Sequence, residues 1–168
     1  MVDPRGHVPG VIPDDYLAAH ASSVKQATGL ATSIASELEA RPTRSLEERR
    51  RSPKIVLLVD DHDIIAAGGS EPLAALVPHL PAARDLGLHV VVTRPVAGAT
   101  RALYNPFLQS VRDTGGAVLL MSGDRSEGHV LPRIVPERMP PGRGRYIRRG
   151  EQPYIIQVAE VPRFSRQP

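Results

Sequence analysis

The 168-residue sequence predicts an α/β domain of three layers, with helices covering a parallel sheet. Three observations carry this expectation. Three apolar runs, 55–59 (IVLLV), 88–92 (LHVVV) and 117–121 (AVLLM), show no polar alternation, as strands buried on both faces do. Segments with helical spacing separate them, and a strand–helix–strand–helix–strand order requires parallel pairing with right-handed crossovers. Each run also ends in polar residues: Asp60-Asp61-His62-Asp63, Thr93-Arg94 and Ser122-Gly123-Asp124-Arg125.

Along the chain, the opening MVDPRGHVPGVI is too rich in Pro and Gly to begin a helix. Ser23 stands three residues before Gln26, a capping-box pattern. Val24, Ala27, Leu30, Ala31, Ile34 and Leu38 then predict an amphipathic helix over 24–40, stopped by Pro42. Residues 43–53 are charged and read as an exposed connection. After the first strand, Pro72 suits a helix start, and Leu73, Leu76, Val77 and Leu80 form its apolar stripe. Pro78 and Pro81 must kink or segment that helix, and Gly87 closes it. A helix bent by Pro106 is expected over 100–112. Short strands are expected at 145–148 and 154–159.

Composition bounds the rest. The chain has no cysteine, which excludes a disulfide scaffold, cysteine–zinc ligation and a thiol nucleophile. No apolar run approaches the roughly 20 residues of a membrane-spanning helix, and the start has no signal-peptide core. A soluble, intracellular protein is the expectation. Of 21 basic residues only Lys25 and Lys54 are lysine; the arginines cluster at 41–51 and 133–149, with Arg163 and Arg166 beyond. Such clusters can neutralise phosphates, or simply form solvated loops. Aromatic residues are 4% of the chain, too few for a base-stacking platform.

In an open parallel sheet, ligands bind beyond the carboxyl ends of the strands. One acid there can hold magnesium while its neighbour orients or deprotonates a water. The acid pair followed by His also resembles the first strand of response-regulator receivers. That likeness fails, because the next strands end in Thr93 and Ser122 and no Lys follows Lys54.

A second likeness spans nearly the whole chain. LLVDDHDII, PLAALVPHLPAARDLGLHVVVTRP, Thr100-Arg101-Ala102-Leu103-Tyr104, LLMSGDRSEG and PPGRGRYIRRG occur in order. Together they resemble the nucleotide-binding core of the FtsK/SpoIIIE ATPases, in particular the C-terminal ATPase modules of the type VII (ESX) secretion ATPases of the EccC family. Val2-Asp3-Pro4-Arg5 resembles the end of the second strand of such modules, and Asp15-Tyr16-Leu17-Ala18 the lead into the following helix. The resemblance implies a RecA-like P-loop NTPase core, incomplete at the N-terminus, with residues 1–168 as one domain. Residues 1–53 form its helical lead-in and charged linker, 54–125 its Walker B and sensor core, and 126–168 its Arg/Pro-rich C-terminal strands.

By position, the resemblance makes Asp60 the Walker B ligand of magnesium. Asp61 takes the place of the water-activating Glu, Thr93 is the polar sensor, and Arg94 stands beside the phosphates. An Asp reaches one methylene less far than a Glu, which points to a degenerate module. A phosphate-cradling G-x-x-x-x-G-K-[ST] loop is not in the sequence, since Lys25 lies in SSVKQA and Lys54 in SPKIV. Mg-ATP is thus the implied cofactor, with no hydrolysis expected of the isolated chain. The family's central P-loop strand would be lacking between the sensor strand and the 117–121 strand. The first dozen residues, a second copy or another protein must cover that gap. The implied setting is cytoplasmic, at the inner face of a membrane-associated secretion complex. The implied partners are neighbouring ATPase modules and WXG-type secreted helical hairpins, in an oligomer or complex. Two alternatives are an active domain completed by another chain and a nucleic-acid-binding module of a DNA translocase. The Pro and Gly residues interrupting 133–149 speak against the latter.

Overall fold

A computed structural model of the chain describes residues 1–8, 12–43 and 45–159. Residues 9–11 of the opening segment, Arg44, and Arg163 and Arg166 of the basic clusters lie outside the described residues. The chain divides into two compact units, residues 1–94 and the residues from Pro95 on.

In the first unit, Ser23 is extended and its side chain accepts the Gln26 amide, which opens α1 (Val24–Ala40). The Gln26 side chain reaches Ser22 N–H at 2.9 Å, so the reciprocal half of the cap falls one residue earlier than expected. Ala27, Ala31, Ala35 and Leu38 are the buried stripe of α1. These small side chains let α1 pack on a 3-10 segment, Ala74–Ala82, whose Pro78 and Pro81 keep it from becoming an α-helix. The 43–53 connection is corrected: it contains α2 (Leu46–Arg51). Ser45 Oγ accepts Glu48 N–H at 3.2 Å and Glu48 Oε2 accepts Ser45 N–H at 2.8 Å, a complete capping box.

Strand β1 (Ile55–Val59) leads into the single turn α3 (His62–Ile65). The short α4 (Ala83–Leu86) precedes β2 (Leu88–Val92). β1 and β2 pair in parallel, from Ile55 opposite Leu88 to Val59 opposite Val92. Arg41, 4% exposed, ties the leads into both strands: Nη1 donates to Leu86 O at 2.5 Å and Nη2 to Pro53 O at 2.9 Å. Gly87 closes α4 at φ 73°, and a Cβ there would lie 2.9 Å from Arg41 Nη1. Glycine is needed on both counts.

On the other edge of β1, Val2 N–H donates to Leu58 O at 2.8 Å and Asp60 N–H to Val2 O at 2.9 Å. Val2 thus bridges Val59 and Ala21 in parallel. The expectation that both faces of the strands are buried is corrected. Alternating side chains put Leu57, Val59 and Leu88 in the core, while Val56 is 58% and Val91 53% exposed. Among the described residues β2 pairs only with β1.

The second unit starts with α5 (Ala99–Ala102) and α6 (Pro106–Asp113). These replace the single bent helix expected over 100–112. Asn105 Oδ1 accepts the amides of Phe107 and Leu108 at 3.1 and 3.2 Å, and Pro106 fills the first helical position, so proline starts a helix here. β3 (Val118–Leu120), β4 (Arg143–Ile147) and β5 (Tyr154–Gln157) form an antiparallel sheet in that order. The 117–121 run is therefore a strand, but its described partner is β4, antiparallel, which corrects the parallel pairing expected for it. Gly144 allows the pairing, since a Cβ would meet Leu119 Cδ1 at 2.7 Å. Leu120, Val130 and Ile134 centre this unit's core, with Val96, Ala99, Leu131 and Ile147 packed around them.

Candidate functional site

The parallel register that sets Val59 opposite Val92 brings the next residues, Asp60 and Thr93, together. Thr93 ties the two strand ends. Its N–H donates to Val59 O at 2.8 Å and its carbonyl accepts His62 N–H at 3.0 Å. Its hydroxyl donates to Asp60 Oδ1 and accepts Asp61 N–H at 3.1 Å.

Asp61 adopts a left-handed backbone, φ 44° and ψ 54°, a conformation costing about 1 kcal/mol outside glycine. Its carboxylate does not stand free: Arg5 Nε lies 2.5 Å from Asp61 Oδ2. Arg5 comes from the turn after Val2, and Asp3 holds that turn. Asp3 is fully buried; its Oδ2 accepts Val8 N–H at 2.9 Å and faces His20 Nε2 at 3.7 Å. Burial alone raises the pKa of Asp3, but backbone N–H groups of Val8, His7 and Gly6, with His20, outweigh it and hold the carboxyl below its ordinary value. Asp3 Oδ1 is buried and has no hydrogen-bond partner among the described residues.

His62 is 3% exposed. Burial pushes its pKa down, the positive charge of Arg94 adds to the shift, and Asp63 opposes it. His62 is therefore neutral at neutral pH.

Asp60, Asp61 and Thr93 thus sit together, with Arg94 following on the chain. The third polar cluster, Ser122 to Arg125, lies in the second unit and has structural partners. Asp124 Oδ1 accepts Ser126 N–H at 2.9 Å, and Ser122 Oγ accepts Met139 N–H at 3.1 Å. Hydrogen bonds from Ser126, then from Arg138, keep the Asp124 carboxyl below its ordinary pKa. Sequence reasoning did not assign Arg5 or Asp3 to the site. The available signal was the D-P-R-G turn beside a predicted strand end, where an Asp can bond the following amides.

A magnesium–nucleotide complex needs an available carboxylate and a cradle for phosphates. Asp60 supplies a carboxylate whose Oδ1 already bonds Thr93, while Asp61 is taken by Arg5. Neither lysine lies in a glycine-rich loop. These residues do not form a magnesium–nucleotide site by themselves.

Parallel strands ending in an acid pair and a threonine fit the class that the solved relatives show: a RecA-like α/β fold of the ATPase type. No protein-family model matches the chain. It is 38% identical over 170 aligned positions to the ESX-4 secretion system protein EccC4 of Mycobacterium tuberculosis, an alignment covering 96% of this chain and 14% of that protein. It is 35% identical to the ESX secretion system protein EccC of Thermomonospora curvata, covering 86% of this chain and 12% of that protein. The cytoplasmic domain of the Thermomonospora curvata type VII secretion ATPase EccC superposes with a TM-score of 0.83 at 32% identity, over 95% of this chain and 19% of that one. ATPases 2 and 3 of that protein, solved in complex with a signal sequence peptide, give a TM-score of 0.82 at 32% identity, over 95% of this chain and 30% of that one. The chain is homologous to a segment of the EccC ATPases of ESX, or type VII, secretion systems.

Proposed function

We propose that the chain acts as a degenerate ATPase-like module of a type VII secretion motor, in assembly, regulation or substrate binding, rather than as an engine. The observation that carries this reading is the Arg5–Asp61 ion pair. The residue at the water-activating position is short, sits on a left-handed backbone and spends its charge on a neighbouring arginine. Asp60 is the magnesium position of this ancestry, Thr93 its sensor and Arg94 its phosphate-side cation, and Asp61 is the degenerate member. Residues 1–168 act as one ATPase-like domain in three parts: lead-in 1–53, core 54–125 and C-terminal strands 126–168.

The module works in the cytoplasm at the membrane-associated complex. Its partners are neighbouring ATPase modules and the tails of WXG-type secreted hairpins. The peptide-bound EccC relative supports the substrate-binding role. Duplex DNA is disfavoured because three arginines of the 133–149 segment pair internally: Arg138 with Asp124, Arg145 with Glu137 and Arg148 with Glu151.

A second reading is an active domain completed by another chain. The Asp60–Thr93 hydrogen bond favours it, as do the outer edge of β2 and the uncovered Val56 and Val91. Light scattering of the purified chain, with and without a neighbouring EccC ATPase module, combined with phosphate release, tests both. A complex without turnover supports the first reading. Magnesium-dependent turnover that is lost in Asp60→Asn supports the second. A monomer that ignores the module overturns both.

A further inference from the structure

The second unit holds a groove of about 400 Å³. Leu103, Tyr104 and Leu131 form apolar walls, and His129, Arg133 and Arg112, the last paired with Asp113 at 3.1 Å, stand around them; among the described residues no acidic side chain lines it. Arg133 is the unusual member. Ile134 N–H donates to Leu131 O at 2.9 Å, closing a tight turn with Pro132 second and Arg133 third. Arg133 has φ 64°, at a turn position that glycine fills at the least cost. Arg125, Arg138, Arg145 and Arg148 in this unit pair with acids. Among the described residues Arg133 has no acid and no hydrogen-bond acceptor. A long cation is thus held on an unfavourable backbone, beside an apolar groove, with no partner among the described residues. Strain kept where a smaller residue would relieve it points to a use for the side chain.

We propose that this groove binds an extended peptide segment in which an acidic residue adjoins an apolar one. The apolar side chain lies among Leu103, Tyr104 and Leu131, and the carboxylate on the Arg133 guanidinium. The planar fork of arginine matches a carboxylate through two parallel hydrogen bonds. Apolar walls favour a peptide over a free phosphate. A phosphate would also want a nest of backbone N–H groups. Here the amides of Val130 and Ile134 are spent on carbonyls of the turn itself. The proposal rests on the substrate-binding role given above and locates it at one surface.

The test is fluorescence anisotropy on the full 168-residue chain with a labelled, capped peptide of alternating Leu and Glu, and its Leu–Gln counterpart. The expected result is at least tenfold tighter binding of the Glu peptide. Arg133→Gly should abolish that preference with a melting temperature equal to or above the parent's, since glycine relieves the turn. Arg133→Lys should keep part of it. No binding by the parent chain, a preference that survives in Arg133→Gly, or displacement by millimolar inorganic phosphate at constant ionic strength would overturn the proposal. If a secreted-hairpin tail still binds and Arg133→Gly leaves it unchanged, the groove is wrong while the substrate-binding role stands. If neither tail nor peptide binds, both fall.

Discussion

The strand ends of the first unit and the groove of the second treat charge in opposite ways. At Asp60, Asp61 and Thr93, each acid has a partner from its own unit: Thr93 on Asp60, Arg5 on Asp61. In the groove, Arg133 has none among the described residues and sits on a backbone that costs stability. Charge that a fold neutralises internally mainly holds shape, whereas charge that it leaves unpaired at a structural cost is available to a ligand. On the reading proposed above, the part most like an ATPase is the part least available for chemistry.

Arg41→Met probes inward pairing at its strongest. It strips a buried guanidinium from Leu86 O and Pro53 O, and the expected loss is about 3 kcal/mol in urea unfolding. A loss below about 1 kcal/mol would remove Arg41 as the clamp on both strands.

Next comes the open face of the first unit. Val56→Lys with Val91→Lys should weaken self-association or module binding by about 2 kcal/mol, read as a shift toward monomer in light scattering. An unchanged mass distribution would show that this face makes no contact.

Arg133→Gly should stabilise the chain by about 1 kcal/mol, because it relieves a positive φ. Destabilisation would mean that the guanidinium serves the fold and not a ligand.

The smallest effect is on pH. Burial keeps His62 below its ordinary pKa of 6.5, so the unfolded chain takes up this proton first as pH falls. His62 therefore leaves stability intact above about pH 6.5 and reduces it below. Unfolding midpoints at pH 7.5 and 5.5 should differ less in His62→Phe than in the parent chain.

Much of this organisation was legible in residue order. Ser23 and Gln26 marked the start of α1, and the run 55–59, the run 88–92 and Gly87 fixed the parallel pair. The acid pair and Thr93 followed from where those strands stop. The partner of the 117–121 run was not legible, because Gly144 lies over twenty residues on and only the fold brings it to Leu119. Residues 43–53 hid a capping box at Ser45 and Glu48 within a charged stretch without apolar periodicity. Arg5 escaped because an ion pair across more than fifty residues leaves no local pattern. Arg133 had a visible signal in Pro132 before it, but only the backbone angle shows that an arginine occupies a glycine position.

The central claim is that Asp60, Asp61 and Thr93 form no working nucleotide site in this chain. Calorimetric titration of ATP with magnesium into the 168-residue chain tests it most directly, with Asp60→Asn as the control. The expected result is no saturable heat at millimolar nucleotide for either protein. A saturable, magnesium-dependent isotherm that disappears in Asp60→Asn would contradict the claim.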